Sequence, residues 1–243
     1  MGYYEKEHFD AYARIRRDGL EQWNDLHPGD SGRGYDDFSN RAFLMRVLPD
    51  HPSGRPAVLE YGCGTGGAAC FLAARGYRVH AVDLVPDAIE TARRFAAERG
   101  LSVRFDVEDI CRWGEPGELY DYVVDSFCLQ SIVLDEDRAT VLDGVRRRFR
   151  PGGRYLISTA MYSPGRVYDD QDHYDAATGI VWTQDPALSD DEAIMIDGKP
   201  YMPNRRHLTA GALRAELERH GFRVIEQSGP TGGEVVCGLS GSE

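Results

Sequence analysis

The sequence lacks any apolar run long enough to cross a bilayer, and it does not begin with a basic stretch followed by an apolar one. We therefore expect a cytoplasmic protein that binds no membrane. A disulfide framework is also missing, because the five cysteines are an odd number and lie scattered along the chain. There is neither a CxxC pair nor a His/Cys cluster, so the sequence predicts no metal site.

Positive charge is scarce as well. The 28 basic residues are outnumbered by 40 acidic ones, which gives a net charge of −12. A protein that binds nucleic acid needs a basic surface to neutralise phosphates. The longest basic cluster, Arg146–Arg148 with Arg150, ends a predicted helix, and we interpret it as a solvated helix face. We expect no nucleic-acid partner.

A glycine-rich turn is the most informative feature that is present. The apolar run Ala57–Leu59 leads into glycines at 62, 64, 66 and 67, and a helix-like segment and a second strand ending at Asp83 follow. Glycine allows the backbone to bend tightly and a ligand to lie against the main chain, and an acid at the end of the next strand can accept ribose hydroxyls. This βαβ pattern indicates a nucleotide-type ligand.

The glycines alone do not identify that ligand. Gly62, Gly64 and Gly67 also satisfy G-x-G-x-x-G, which is typical of dinucleotide-binding proteins. However, the carboxylate of Glu60 would repel a pyrophosphate and would suit a ligand that carries an ammonium or sulfonium group.

Several segments resemble the class I S-adenosylmethionine (SAM)-dependent methyltransferases. Glu60-x-Gly62-x-Gly64-x-Gly66 resembles their motif I, and Tyr120–Asp125 and Pro151–Ile157 resemble their fourth strand and the turn into the fifth. The resemblance covers residues 55–161 well and 207–239 loosely. The fold it implies is α/β, a Rossmann-like, doubly wound, mostly parallel seven-stranded sheet with an antiparallel C-terminal hairpin and helices on both faces.

The resemblance also implies a cofactor-binding role for ten residues, with SAM as cofactor and S-adenosyl-L-homocysteine as product. Asp83 would hold the ribose, Asp109 and Ile110 the adenine, and Asp125 with Ser126 would border the reactive methyl. The full predicted set is Glu60, Gly62, Gly64, Gly66, Asp83, Leu84, Asp109, Ile110, Asp125 and Ser126.

Helix ends support the same fold without reference to any family. Three helix-like stretches end in Gly76, Gly100 and Gly221, and a strand-like run follows each one. Glycine at this position takes the left-handed conformation that stops a helix. Such helix–strand alternation predicts parallel strands covered by helices. With no linker or repeat, we expect one domain over residues 1–243.

Two regions match nothing in the resemblance. Residues 1–50 are rich in aromatic side chains, and Phe9, Tyr12, Ile15 and Leu20 keep a helical spacing that predicts packing on the core. The family implies that this N-terminal helical region is a lid. Residues 162–206 interrupt the βαβ rhythm, hold nine acidic and four basic residues, and are the predicted acceptor-binding insertion.

Three residues are candidates for catalysis. A base is required only when the acceptor is a hydroxyl group, and His173 and His207 compete for that role. Tyr174 lies beside His173 in an aromatic, acidic stretch. Arg205 and Arg206 offer a fork for a substrate carboxylate, so the insertion favours an amino-acid-like acceptor.

The predicted function is therefore SAM-dependent methyl transfer to an O or N atom of a small molecule, such as an amino-acid-like metabolite of specialised metabolism, by a monomer or homodimer. Two alternatives stay open. One is a SAM-binding enzyme that cyclises SAM or eliminates from it without methylating. The other is an NAD(P)-dependent oxidoreductase, which the G-x-G-x-x-G pattern supports and Glu60 opposes.

Overall fold

The computed structural model describes residues 2–26, 37–186 and 193–241, so the acidic residues 190–192 of the predicted insertion lie outside the described residues. Eleven strands and six α-helices are present in this part of the chain. The strands are β1 Ala57–Tyr61, β2 Arg78–Asp83, β3 Arg104–Val107, β4 Tyr120–Ser126, β5 Phe149–Ser158, β6 Asp172–Asp175, β7 Ile180–Gln184, β8 Ile194–Ile196, β9 Lys199–Arg206, β10 Phe222–Ser228 and β11 Glu234–Leu239. The helices are α1 Tyr3–Asp18, α2 Arg41–Val47, α3 Gly67–Ala74, α4 Pro86–Glu98, α5 Asp135–Arg146 and α6 Ala210–Arg219.

The main sheet has seven strands in the order β10-β11-β5-β4-β1-β2-β3. Strands β1 to β5 pair in parallel, whereas β11 runs antiparallel to both β5 and β10. The predicted fold class, including its C-terminal hairpin, is confirmed. The order reverses at β1, which lies between β2 and β4, and open α/β sheets bind ligands at such a point.

The sequence forms this sheet because its central strands are apolar on both sides. All five residues of β1 are buried, as expected for a parallel strand that helices cover on both faces. Leu59 packs in a cluster with residues of α5 and α6, while Val58 packs in a second cluster with residues of α2, α3 and α4. Gly76, Gly100 and Gly221 all have positive φ at helix ends, as predicted.

The segment between β5 and α6 forms a second sheet. Its four strands are antiparallel in the order β6-β7-β9-β8. This smaller sheet contacts α1, where Glu7 pairs with Arg205 of β9. The interruption of the βαβ rhythm in the sequence therefore corresponds to a separate structural layer.

Two details differ from expectation. Phe9 is 36% exposed, because the buried face of α1 consists of Tyr4, Tyr12 and Ile15 instead. Arg148 is buried rather than solvated, since its guanidinium lies 4.2 Å from the centre of the Trp113 ring. No helix among the described residues combines the length and apolar character needed to span a membrane.

Candidate active site

The turn after β1 has a backbone that only glycine adopts easily. Gly62 and Gly64 have φ values of 60° and 54°. A Cβ atom on Gly62 would overlap the side chain of Cys128, and one on Gly64 would lie 2.9 Å from the hydroxyl oxygen of Tyr12. Gly66, also at positive φ, is the N-cap of α3. The predicted glycines are therefore required by both conformation and space.

Asp83, at the end of β2, is hydrogen-bonded to this turn. Its Oδ2 accepts a hydrogen bond from the Gly64 amide at 2.8 Å, and its Oδ1 accepts one from the Val85 amide at 2.9 Å. Burial raises the pKa of this carboxyl group, and the two amide bonds partly offset the rise. Each oxygen keeps a lone pair for a ligand.

Glu60 is the most deeply buried acid of the turn, with 1% of its surface exposed. Its Oε1 accepts a hydrogen bond from Ser126 Oγ at 2.8 Å, and Ser126 Oγ accepts one from Asn40 Nδ2 at 3.0 Å. Oε2 has no hydrogen-bond partner among the described residues. Burial raises the pKa of Glu60 to about 8, although the Ser126 bond opposes the shift. A cationic ligand group would satisfy this oxygen.

Asp125 differs from the other predicted acids because it does not line the cavity. Its Oδ1 accepts hydrogen bonds from the amides of Cys128 and Leu129 at 2.8 and 3.1 Å. Burial raises its pKa to about 7. The side chain thus holds the loop after β4, which carries Phe127 into the cavity at a positive φ of 65°.

The loop after β3 places the predicted adenine residues at the other end of the site. Asp109 accepts hydrogen bonds from the Cys111 amide through Oδ1 and from the Tyr4 hydroxyl through Oδ2, each at 3.0 Å. It caps a short 3-10 turn over Ile110–Arg112. Its neighbour Glu108 accepts a hydrogen bond from Trp113 Nε1 at 2.9 Å.

These elements enclose one cavity of about 400 Å³, which is within the range of small-molecule sites. Its walls come from the ends of β1, β2, β3 and β4, from α1, and from residues just before α2. Eight of the ten predicted cofactor-binding residues line the cavity, and Gly66 and Asp125 do not. The lining residues are Glu60, Gly62, Gly64, Asp83, Leu84, Asp109, Ile110 and Ser126.

The cavity is acidic. Among the described side chains that line it, four are carboxylic acids, namely Glu60, Asp83, Glu108 and Asp109, and one is a guanidinium, Arg205. Both outer nitrogens of Arg205 bind the carboxylate of Glu7, at 2.5 and 2.7 Å. Arg112, which lies outside the lining, pairs with Asp109 at 3.3 Å. Among the described residues, little positive charge is left to balance the other three acids, and the cavity favours a cation.

The three predicted catalytic residues lie outside this lining. His173 is exposed on β6, and the Tyr174 hydroxyl donates to the carbonyl oxygen of His207 at 3.1 Å. The His207 ring is 4% exposed, and burial lowers its pKa to about 3. Tyr168 Oη lies 3.2 Å from His207 Nδ1. The catalytic role of these residues stays a prediction.

Arg205 and Arg206, the predicted site for a substrate carboxylate, already bind other residues of the protein. Arg205 binds Glu7, as described above, and Arg206 donates to the Val133 carbonyl at 2.9 Å and pairs with Asp135. A substrate carboxylate would have to replace one of these partners.

Sequence reasoning missed two residues of α1 that line the cavity as ligand-facing groups, Tyr4 and His8. Together with Tyr12 they recur every four residues, which places them on one face of a helix. That spacing was the available signal, but it also fits ordinary packing on a core.

One group of described residues has ligand atoms close enough for a metal ion, namely His80, Asp106 and Glu108, all within 4.8 Å of one another. Both ring nitrogens of His80 already have partners, the Tyr120 hydroxyl at 2.7 Å and Asp106 at 3.0 Å. Arg104 also binds Asp106, at 2.6 Å. The group is therefore satisfied as a hydrogen-bond network.

Comparison with known proteins agrees with this geometry. Residues 58–153 match the model of a family described as a methyltransferase domain. Over 101 residues the chain is 36% identical to the 2-heptyl-1-hydroxyquinolin-4(1H)-one methyltransferase of Mycobacteroides abscessus, which covers 41% of this chain and 44% of that protein. Over 105 residues it is 33% identical to a ubiquinone biosynthesis O-methyltransferase of Xylella fastidiosa, covering 42% and 41%. The chain thus spans less than half the length of these relatives.

A solved structure extends the likeness over nearly the whole chain. The CcbJ methyltransferase from Streptomyces caelestis superposes with a TM-score of 0.63, at 18% identity, over 90% of this chain and 97% of that one. At such low identity the likeness establishes the fold alone. Taken with the glycine turn, the strand order and the family match, it leads to one conclusion: residues 58–153 match a methyltransferase domain, and they lie within a Rossmann-like fold that solved methyltransferases share.

Proposed function

We propose that this protein binds SAM and transfers its methyl group to an O or N atom of a small molecule. The single observation that carries the proposal is the buried Oε2 of Glu60 beside the glycine turn, which has no partner among the described residues. A buried carboxyl oxygen without a partner is costly unless a ligand supplies a donor, and an ammonium group is a strong one.

The other groups of the cavity fit the same ligand. The main chain at Gly62 and Gly64 would lie against the methionine part, Asp83 would accept from the ribose, and Asp109 with Ile110 would hold the adenine. SAM supplies an electrophilic methyl group on a sulfonium. A pyrophosphate would meet the carboxyl groups of Glu60 and Asp83, and the guanidinium among the described lining residues is already paired, which disfavours an NAD(P)-dependent oxidoreductase.

The chain's own contribution to the reaction would be positioning and exclusion of water. Phe38, Phe127 and Trp23 line the cavity, and apolar rings of this kind keep water from the reacting groups. Holding the acceptor atom in line with the methyl carbon removes much of the entropic cost of the reaction, on the order of several kcal/mol.

Within this function we also propose that the second sheet helps to select the acceptor. Arg205 of β9 is its described contribution to the cavity lining, and the guanidinium is held by Glu7. An amino-acid-like acceptor would place its carboxylate on Arg205 and displace Glu7. The roles of His173, His207 and Tyr174 in proton transfer belong to this part of the proposal.

We also propose that the chain forms a single domain with residues 1–50 as a lid, has no nucleic-acid partner, is a monomer or homodimer, and is located in the cytoplasm. The net charge of −12 supports the second of these.

Calorimetry with SAM, S-adenosylhomocysteine and NAD⁺ tests the cofactor. We expect heat with the first two ligands and none with the third; the reverse result would refute the proposal.

Panels of amines, amino acids and hydroxylated aromatics, incubated with methyl-labelled SAM, would then define the acceptor. Accumulation of S-adenosylhomocysteine is the expected by-product, whereas methylthioadenosine would indicate that SAM itself is consumed without methylation.

A further inference from the structure

One face of α1 lies along the cavity opposite the ends of the parallel strands. Tyr4, His8 and Tyr12 all line the cavity from this face. The Tyr4 hydroxyl donates to Asp109, and the Tyr12 hydroxyl lies against Gly64. His8 is one turn from each of the two tyrosines along the helix. The three side chains therefore follow the length of the cavity from the Asp109 loop to the glycine turn.

His8 faces the acid at the end of β2. The His8 ring is close enough to Asp83 that a positive charge on it would oppose the rise in pKa that burial imposes on the Asp83 carboxyl group. Both side chains line the cavity, one from α1 and one from β2. A group bound between them would contact both walls.

The orientation of the His8 ring is defined by its surroundings. Nδ1 lies 2.6 Å from the carbonyl oxygen of Tyr4. A carbonyl oxygen only accepts hydrogen bonds, so Nδ1 carries the proton and Nε2 of the neutral ring is left as an acceptor. The ring also stacks on Trp23, with centroids 5.3 Å apart and planes at 29°. Packing and the backbone bond thus hold Nε2 in place.

We propose that His8 is a further cofactor-binding residue, whose Nε2 accepts a hydrogen bond from a ribose hydroxyl that lies between α1 and Asp83. The inference rests on the proposed binding of SAM. Each carboxylate oxygen of Asp83 already accepts one hydrogen bond, from the amide of Gly64 or of Val85. An acceptor on the opposite wall lets the two ribose hydroxyls be held from both sides.

The test is a double-mutant cycle between His8 and the ribose. Calorimetry would measure the dissociation constants of S-adenosylhomocysteine and of its 2′-deoxy and 3′-deoxy forms for the wild-type protein and for His8→Asn. The asparagine amide can still donate to the Tyr4 carbonyl but offers nothing at the position of Nε2. We expect His8→Asn to weaken binding of the parent ligand by about tenfold and that of one deoxy form by less than about twofold.

Two controls separate a ribose contact from a loss of structure. His51→Asn changes an exposed histidine outside the cavity lining and is expected to leave all three constants unchanged. His8→Gln places an amide near the Nε2 position and is expected to recover part of the affinity. Equal weakening of all three ligands by His8→Asn would mean that His8 acts only through the packing of α1 and would overturn the proposal.

Unchanged binding of every ligand by His8→Asn, together with slower methyl transfer, would also overturn it and point to a role in proton transfer. Absence of binding by the wild-type protein is a different result. It would refute the proposed cofactor itself and leave the role of His8 without a basis.

Discussion

The two ends of this molecule's candidate site are built differently. At the glycine turn, main-chain conformation determines the site: Gly62 and Gly64 have positive φ, and backbone amides bind Asp83. At the second sheet, side chains interact with one another. Tyr162, Tyr174 and Tyr168 stack with centroids 5.0 and 5.1 Å apart, and Arg205 pairs with Glu7 of α1.

The difference explains why the end at the glycine turn could be predicted from the sequence and the end at the second sheet could not. Few residue types adopt positive φ easily. A turn that needs this conformation therefore shows glycines at fixed positions in the local sequence. Contacts between long side chains depend on which elements meet, and many residue pairs satisfy them equally well. The predictions below test whether the two ends behave as differently as they are built, beginning with the largest expected effect.

Gly62→Ala is expected to lower the free energy of unfolding by about 3–5 kcal/mol, since strain at positive φ and overlap with Cys128 add together. Urea unfolding would measure the change. Gly100→Ala is the matched control, because Gly100 has a φ of 62° but open space where its Cβ atom would lie. If both variants lose the same stability, overlap with Cys128 contributes nothing.

Asp83→Ala is expected to weaken binding of S-adenosylhomocysteine by about 1–3 kcal/mol through lost hydrogen bonds. Calorimetry at constant pH would measure the change in dissociation constant. As a control, Asp87→Ala removes an acid from the first turn of α4 that pairs with Arg16 and does not line the cavity. An unchanged dissociation constant for Asp83→Ala would show that the ribose is held elsewhere.

Glu60 makes stability depend on pH. Its pKa is about 8 in the folded protein and near 4.5 when unfolded, so its protonated form stabilises the fold fully below about pH 4.5. That contribution is lost as the pH rises toward 8, and we expect the free energy of unfolding to fall by on the order of 3 kcal/mol between pH 5 and 8.

Glu60→Gln should flatten this dependence, which urea unfolding at pH 5, 6.5 and 8 would reveal. Asp125, with a pKa of about 7, contributes a slope of the same sign and stays in the variant. The substitution should also weaken binding of SAM, because it removes the carboxylate. A variant with the wild-type slope would mean that Glu60 does not titrate in this range.

The smallest effect is expected at the second sheet. On an amine acceptor, which needs no general base, His173→Asn should change kcat by less than about threefold, because His173 is exposed and does not line the cavity. His207→Asn is its companion, since His207 is buried beside Tyr168. A loss of about a hundredfold or more in kcat, with binding of the cofactor intact, would instead support the predicted role as a base.

The sequence predicted the sheet, its hairpin and eight residues that line the cavity, but it did not predict the second sheet or which residues of α1 line the cavity. The helical spacing of Tyr4, His8 and Tyr12 was visible, yet periodicity shows which residues share a face and not what that face contacts. In the same way, no local pattern showed that Asp125 accepts hydrogen bonds from the amides of Cys128 and Leu129.

The sequence by itself determined the glycine turn, the alternation of helices and strands, and the acids that end β1 and β2. These are local consequences of backbone conformation and of apolar periodicity, so neighbouring residues suffice to specify them. Only the tertiary structure decided that Tyr4 and His8 of α1 line the cavity, that Glu7 engages Arg205, and that His173 and His207 lie away from the lining. Those facts depend on the packing of elements far apart in the chain, which no local pattern encodes.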